Sequence, residues 1–153
     1  MHPLEHRIPP PVVGAVAGLV AWLCAWLGPD TGLSARIGMI AGALVALGGI
    51  VVALLGVRGF RRAGTTLSPL KPDEASSLVE TGIYRHTRNP MYLGLALLLL
   101  GWALVLASPL ALVGPLLFVV WMTRFQIIPE ERALSRLFGS QYEAYRRRVR
   151  RWI

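Results

Sequence analysis

Acidic residues are scarce in this chain, and none of them falls inside its long apolar runs. Against 16 Lys and Arg there are 8 Asp and Glu, which leaves a formal charge of +8. A soluble domain of 153 residues would carry more charge and less continuous apolar sequence than the 54% hydrophobic content here. The lack of an acid within the apolar runs also weakens an ion-coupled transporter, because such pathways usually mark themselves with one. Cysteine is nearly absent: Cys24 stands alone, which excludes a disulfide framework and a thiolate metal cluster. His2, His6 and His86 are not at metal-ligand spacing, so no metal centre is expected. No small-x-small cleavage site followed by a soluble domain appears, so the first apolar run does not read as a signal peptide.

What is present is apolar sequence in four runs, at about 12–28, 37–57, 91–107 and 110–128. Each approaches the ~20 residues that a helix needs to cross a ~30 Å hydrocarbon core. The expected fold is all-α and integral to a membrane: about four transmembrane helices in one domain, 1–153, with a polar connector at 58–90 and an amphipathic helical tail at 129–153. Of the 16 basic residues, 15 fall before the first run, in the connector, or from Arg124 onward, and only Arg36 lies on the other side. That asymmetry puts both termini and the connector in the cytoplasm, with a bacterial inner membrane as the expected location. It also accounts for the basic pI without nucleic acid, and membrane lipids are the expected surroundings. Gly14 and Gly18, Gly38 and Gly42, and the pair Gly94 and Gly101 read as close helix contacts.

The connector ends in "TGIYRHTRNPMYLG", residues 81–94, which is denser in hydrogen-bonding groups than a loop requires. Asn89 and Pro90 suit the N-cap and first position of a helix. Arg85, His86, Arg88 and Tyr92 are not explained by that. A helix start with free amides beside cations is suited to a carboxylate or phosphate, and Gly94 could admit a ligand; an interfacial aromatic belt with positive-inside arginines is the other reading. The tail opens with Pro129, Glu130 and Glu131, again a helix-start pattern. Leu134, Leu137, Phe138, Tyr142, Tyr145, Val149 and Trp152 then recur at three- and four-residue steps, with Gly139 as a joint. Such a stripe can lie on an anionic membrane surface, or it can form half of a pocket opposite the connector. Because a short hairpin joins the last two runs, Glu130 and Glu131 should neighbour the start of the third. Arg124, near the end of the fourth run, either snorkels to the interface or faces a polar cavity.

"GTTLSP", "LVETGIYRHTRNPMYLG" and "PEERALSRLFGSQYEAYRRRVRRWI", in this order, resemble the isoprenylcysteine carboxyl methyltransferase and phospholipid methyltransferase superfamily of membrane enzymes. The resemblance covers about residues 58–153. It implies S-adenosyl-L-methionine as cofactor, held by Arg85 or Arg88, His86, Asn89, Pro90, Tyr92, Gly94, Glu130, Glu131, Leu134, Tyr142 and Tyr145. Many members carry His where this chain has Asn89; His86 lies one turn earlier. Phe138 and Gly139 belong to the same tail motif. Arg124 and Glu131 are the catalytic candidates. No Gly-rich Rossmann fingerprint is present, which excludes the fold of soluble methyltransferases. An arginine can grip the cofactor carboxylate, and tyrosines can face its adenine or sulfonium. The implied reaction is methyl transfer to a lipophilic acceptor entering from the bilayer, either an isoprenylcysteine-like carboxylate or another small lipophilic nucleophile. A nicotinamide-dependent membrane reductase and a small transporter or scaffold are the alternatives. The acceptor and the oligomeric state are not specified by these motifs.

Overall fold

The computed structural model describes residues 8–32, 34–64 and 77–153. His2, His6, Arg7, Lys71 and most of "GTTLSP" lie outside the described residues. All regular structure within them is helical. Helix α1 (Pro10–Leu27) is followed by α2 (Ala35–Ala63), a 3-10 turn (Gly82–Arg85), α3 (Pro90–Val105) and a second 3-10 turn (Pro109–Leu112). Helix α4 (Val113–Met122) then passes through a π-helical turn (Thr123–Ile127) into α5 (Ile128–Arg148). The fold is therefore that of an all-α integral membrane protein. Three helical rods are long and apolar enough to cross a bilayer: Pro10–Leu27, Ala35–Ala63 and Pro109–Arg148. Helix α3 is apolar but shorter, with 16 residues, roughly 24 Å at 1.5 Å per residue.

Three boundaries differ from expectation, each for a local reason. Helix α2 has 29 residues and carries Arg58, Arg61 and Arg62 as helix rather than connector. It stops at Gly64, whose left-handed backbone (φ 62°, ψ 21°) lets its amide bond the Arg61 carbonyl. The arginines of its last turn also suit the negative end of the helix dipole. Asn89 occupies the N-cap position of α3 but does not cap with its side chain, because that amide is bonded elsewhere, as described below. Pro129 does not begin a separate tail helix, since α4, the π turn and α5 run on without a break. A proline inside a helix lacks an N–H and crowds the carbonyl four residues back, and the wider π turn just before it accommodates that ring.

Helix α3 is the hub: α2 packs along one face, and α1 and α4 pack on others. The α2–α3 contact is made of glycine against backbone. A Cβ on Gly94 would meet the Gly49 carbonyl at 2.5 Å, and one on Gly101 would meet the Gly42 carbonyl at 2.6 Å. The reciprocal contacts of Gly49 and Gly42 are as close, at 2.6 and 2.5 Å. In lipid there is no hydrophobic drive between helices, so backbone approach of this kind supplies the packing. On the α1 side, Trp102 donates its indole N–H to the Gly18 carbonyl at 3.2 Å, and Gly114 of α4 fits against Ala17 and Ala21. Gly94 thus faces α2 rather than an open pocket.

Replacing Gly94 by Ala should therefore lower stability by about 1–3 kcal/mol, the usual cost of overpacking, seen as a reduced Tm in detergent. An unchanged Tm for Gly94→Ala would mean that the two helices do not touch at this point.

Candidate functional site

The chain reaches α3 through a compact turn. Tyr84 is buried, and its hydroxyl donates to the Gly56 carbonyl of α2 at 3.4 Å. Two residues before Asn89, the buried Thr87 accepts the Asn89 N–H on Oγ1 at 3.1 Å, a local hydroxyl–backbone bond that fixes the turn. Asn89 Nδ2 donates to the Arg151 carbonyl at 2.9 Å, and the Thr87 hydroxyl reaches the same oxygen at 3.4 Å. The Arg88 N–H donates to the Arg150 carbonyl at 3.1 Å. The start of α3 is thus bolted to the segment 149–153 that follows α5.

Two acids from the α4–α5 rod meet this helix start, and they divide the work. Glu130 turns to α3: its Oε1 accepts from the Tyr92 hydroxyl at 2.5 Å and from Gln126 Nε2 at 2.9 Å. Glu131 turns to the arginines. Its Oε1 lies 3.0 Å from Arg88 Nη2, while Arg151 forks it, Nε to Oε1 at 2.9 Å and Nη2 to Oε2 at 2.8 Å. The side chains of Arg88 and Glu131 are 9% and 10% exposed, so this is an ion cluster in a poorly solvated place. The bond to Glu131 holds the Arg151 guanidinium above its ordinary pKa. Among the described residues, Arg88 Nε and Nη1 are buried with no acceptor at all. Buried donors of a cation that lack a partner cost free energy, so this guanidinium is incomplete as it stands.

The tail helix folds back over the connector. At Gly139 the backbone breaks (φ 50°, ψ −123°), as a glycine joint permits. Beyond it Tyr142, Tyr145 and Val149 form a buried cluster with Leu78, Leu134 and Phe138 packed against them. Tyr145 donates its hydroxyl to the Tyr84 carbonyl at 2.8 Å, and Arg148 pairs with Glu80 at 2.6 Å. Burial pushes the Tyr142 phenol up to about 12, and raises those of Tyr84 and Tyr145 as well. The apolar stripe of the tail is therefore spent on the protein's own connector, not on a membrane surface; Leu137 alone among its leucines is exposed.

Of the residues singled out in the sequence, Arg88, Asn89, Tyr92, Glu130 and Glu131 come together here, with Pro90 buried at the first turn of α3. Leu134, Tyr142 and Tyr145 lie in the neighbouring tail cluster. Arg85 and His86 are exposed at the end of the short 3-10 turn, and among the described residues their side chains form no hydrogen bond or ion pair. Arg124 is exposed on the π turn, its guanidinium 5.6 Å from the Phe125 ring centre. Thr87, Gln126, Arg151 and Trp152 were not singled out as polar contributors. Gln126 carried a signal, a lone amide inside an apolar run. Arg151 was hidden among seven basic residues of the tail.

A family model described as phospholipid methyltransferase matches residues 37–141, a stretch that holds nearly all of α2 together with α3, α4 and both acids. The chain belongs to the phospholipid methyltransferase family. Among individual relatives, an uncharacterised protein of Haemophilus influenzae is 44% identical over 63 residues, covering 41% of this chain and 100% of its own. Protein-S-isoprenylcysteine O-methyltransferase B of Arabidopsis thaliana is 34% identical over 89 residues, 58% of this chain and 45% of that one. The Saccharomyces cerevisiae protein-S-isoprenylcysteine O-methyltransferase is 28% identical over 118 residues, 76% of this chain and 49% of the relative. The chain spans about half the length of these curated methyltransferases. No solved structure matches it.

In this member of the phospholipid methyltransferase family, Glu131 is the counter-charge for two arginines, and its removal should be felt in the fold. Glu131→Gln is expected to cost about 3 kcal/mol or more, the penalty for stranding a buried partner charge, measured by thermal or denaturant unfolding in detergent. A variant as stable as the parent would mean that the cluster is solvated.

Proposed function

We propose that the protein transfers a methyl group from S-adenosyl-L-methionine to a lipophilic acceptor drawn from the bilayer. The observation that carries this reading is the pair of buried, acceptorless donors on Arg88. Arg88 and Arg151 against Glu131 leave one positive charge uncompensated, and a carboxylate bound at Arg88 would satisfy both the charge and the two open N–H groups. On the other acid, both hydrogen bonds fall on Oε1 of Glu130, which leaves Oε2 to accept from an ammonium or a ribose hydroxyl. One cation with open donors beside one carboxylate with an open acceptor is the complement of the amino-acid end of that cofactor. The donor set therefore fits the group.

The bound cofactor would supply a methyl group already activated on a sulfonium. The residues then have to align and to exclude water. Tyr92, locked by its bond to Glu130, presents an oriented ring at the edge of the apolar core, where it packs with Leu99, Phe118 and Met122. An acceptor whose apolar part stays in the bilayer can bring its nucleophile to that boundary. The named relatives are isoprenylcysteine O-methyltransferases. By likeness to them the acceptor here is an isoprenylcysteine-like carboxylate or another small lipophilic nucleophile. Together with the family, the same relatives favour methyl transfer over the reductase, transporter and scaffold readings.

Calorimetric titration of detergent-purified protein with S-adenosylhomocysteine tests the cofactor. Arg88→Gln and Glu130→Gln should each weaken binding by roughly tenfold or more, the worth of a charged hydrogen bond. Monodisperse wild-type protein that takes up none would overturn the reading.

We further infer from the distribution of arginine that the site end of the helices is cytoplasmic, in a bacterial inner membrane. In that orientation Arg62→Cys should react with a membrane-impermeant maleimide only after cells are permeabilised, while Asp30→Cys reacts in intact spheroplasts. The opposite pattern would invert the topology.

A further inference from the structure

The segment 149–153 leaves α5 in extended conformation, with Val149 at φ −123° and ψ 131°, and crosses the start of α3 as a strap. It is fastened along its length. Arg150 and Arg151 offer their carbonyls to Arg88, Thr87 and Asn89. Trp152 donates its indole N–H to Thr123 Oγ1 in the π turn at 3.1 Å and packs against the core cluster that contains Tyr92. Between these anchors, the Arg151 side chain grips Glu131 on both oxygens.

That grip decides what Arg88 can do. A carboxylate next to a single guanidinium normally offers both oxygens in a parallel fork. Here Arg151 has taken the fork, and Arg88 reaches Oε1 alone, through Nη2 at 3.0 Å. Its Nε and Nη1 stay buried and unmatched. We propose that Arg151 is a positioning residue: it holds Glu131 away from full pairing with Arg88, and so keeps two buried donors of Arg88 open for the carboxylate of the cofactor. Resting on the cofactor reading above, the inference adds a residue and a role to it. Arg151 itself does not touch the ligand. It competes for the acid that would otherwise close the site.

Competition of this kind has a signature that loss of structure lacks. Without Arg151, Glu131 turns its second oxygen to Arg88, and only ligands that carry a carboxylate are penalised. The experiment compares two probes by calorimetry on the full chain in detergent: S-adenosylhomocysteine, and 5′-methylthioadenosine, which has the nucleoside but neither carboxylate nor ammonium. Arg151→Gln should weaken S-adenosylhomocysteine by about tenfold or more and leave 5′-methylthioadenosine within about twofold. Arg151→Lys, which keeps the charge but cannot fork, should fall between, and it carries the same comparison if R151Q does not stay monodisperse. Equal weakening of both probes would make Arg151 structural only and overturn the proposal, as would unchanged binding of S-adenosylhomocysteine. Binding of neither probe by the wild type would instead overturn the cofactor reading, and this inference with it.

Discussion

One buried carboxylate ties this end of the protein together. Glu131 sits where three pieces of chain meet: the turn into α3, the rod formed by α4 and α5, and the strap at 149–153. Each piece brings more backbone polarity than it can satisfy alone. The turn into α3 has amides without helical partners, and the strap has carbonyls with no strand beside it. Pairing those two sets, with Glu131 bridging the two arginines that accompany them, closes most of the account. What is left over is on Arg88, and the residue that remains incomplete in an otherwise satisfied cluster is the natural place for a ligand.

The helices supply the rigidity this arrangement needs. Because α2 and α3 touch through glycine and carbonyl, α3 cannot shift along its partner without a backbone clash. Tyr92 is therefore presented from a fixed rod, and Arg88 from the turn that leads directly into it. The hairpin at Pro109–Leu112 returns the chain so that the acids of α5 arrive beside the start of α3, though they are about 40 residues away in sequence. The polar site is thus an intersection of two rods and a strap, with the apolar core of Tyr92, Leu99, Phe118 and Met122 directly against it. Water on one side and hydrocarbon on the other is the setting in which a charged cofactor and an apolar acceptor can meet.

Much of this was legible in the sequence. Run lengths gave the helices, Asn89–Pro90 marked where α3 starts, and Gly139 marked the joint of the tail, since each depends on local chemistry. The meeting of Glu130 and Glu131 with that helix start followed from the shortness of the hairpin. What could not be read was the choice of partner. Asn89 suits an N-cap in isolation, yet its amide is drawn off by the Arg151 carbonyl. Gly94 looks like room for a ligand, yet the room is filled by α2. The tail stripe has the periodicity of a surface-lying helix, and only the position of Leu78 and Tyr84 shows that it has a protein surface to cover. Arg151 is chemically identical to its six neighbours in the tail, and only tertiary placement distinguishes it.

The π turn at Thr123–Ile127 sets a reading frame for everything after it. Successive residues of an α-helix point about 100° apart, so the adjacent acids address different neighbours, Glu130 to Tyr92 and Glu131 to Arg88. Such a turn absorbs one extra residue, and were it to tighten to α-helix with none removed, everything after it would rotate onward by about 100°, one residue step. Pro129 would then stand where Glu130 now meets Tyr92, and Glu130 would be carried to the place of Glu131, leaving Tyr92 without its acceptor. In this protein the division of labour between two adjacent acids is written in the phase of a helix, and the extra residue held in the π turn sets that phase.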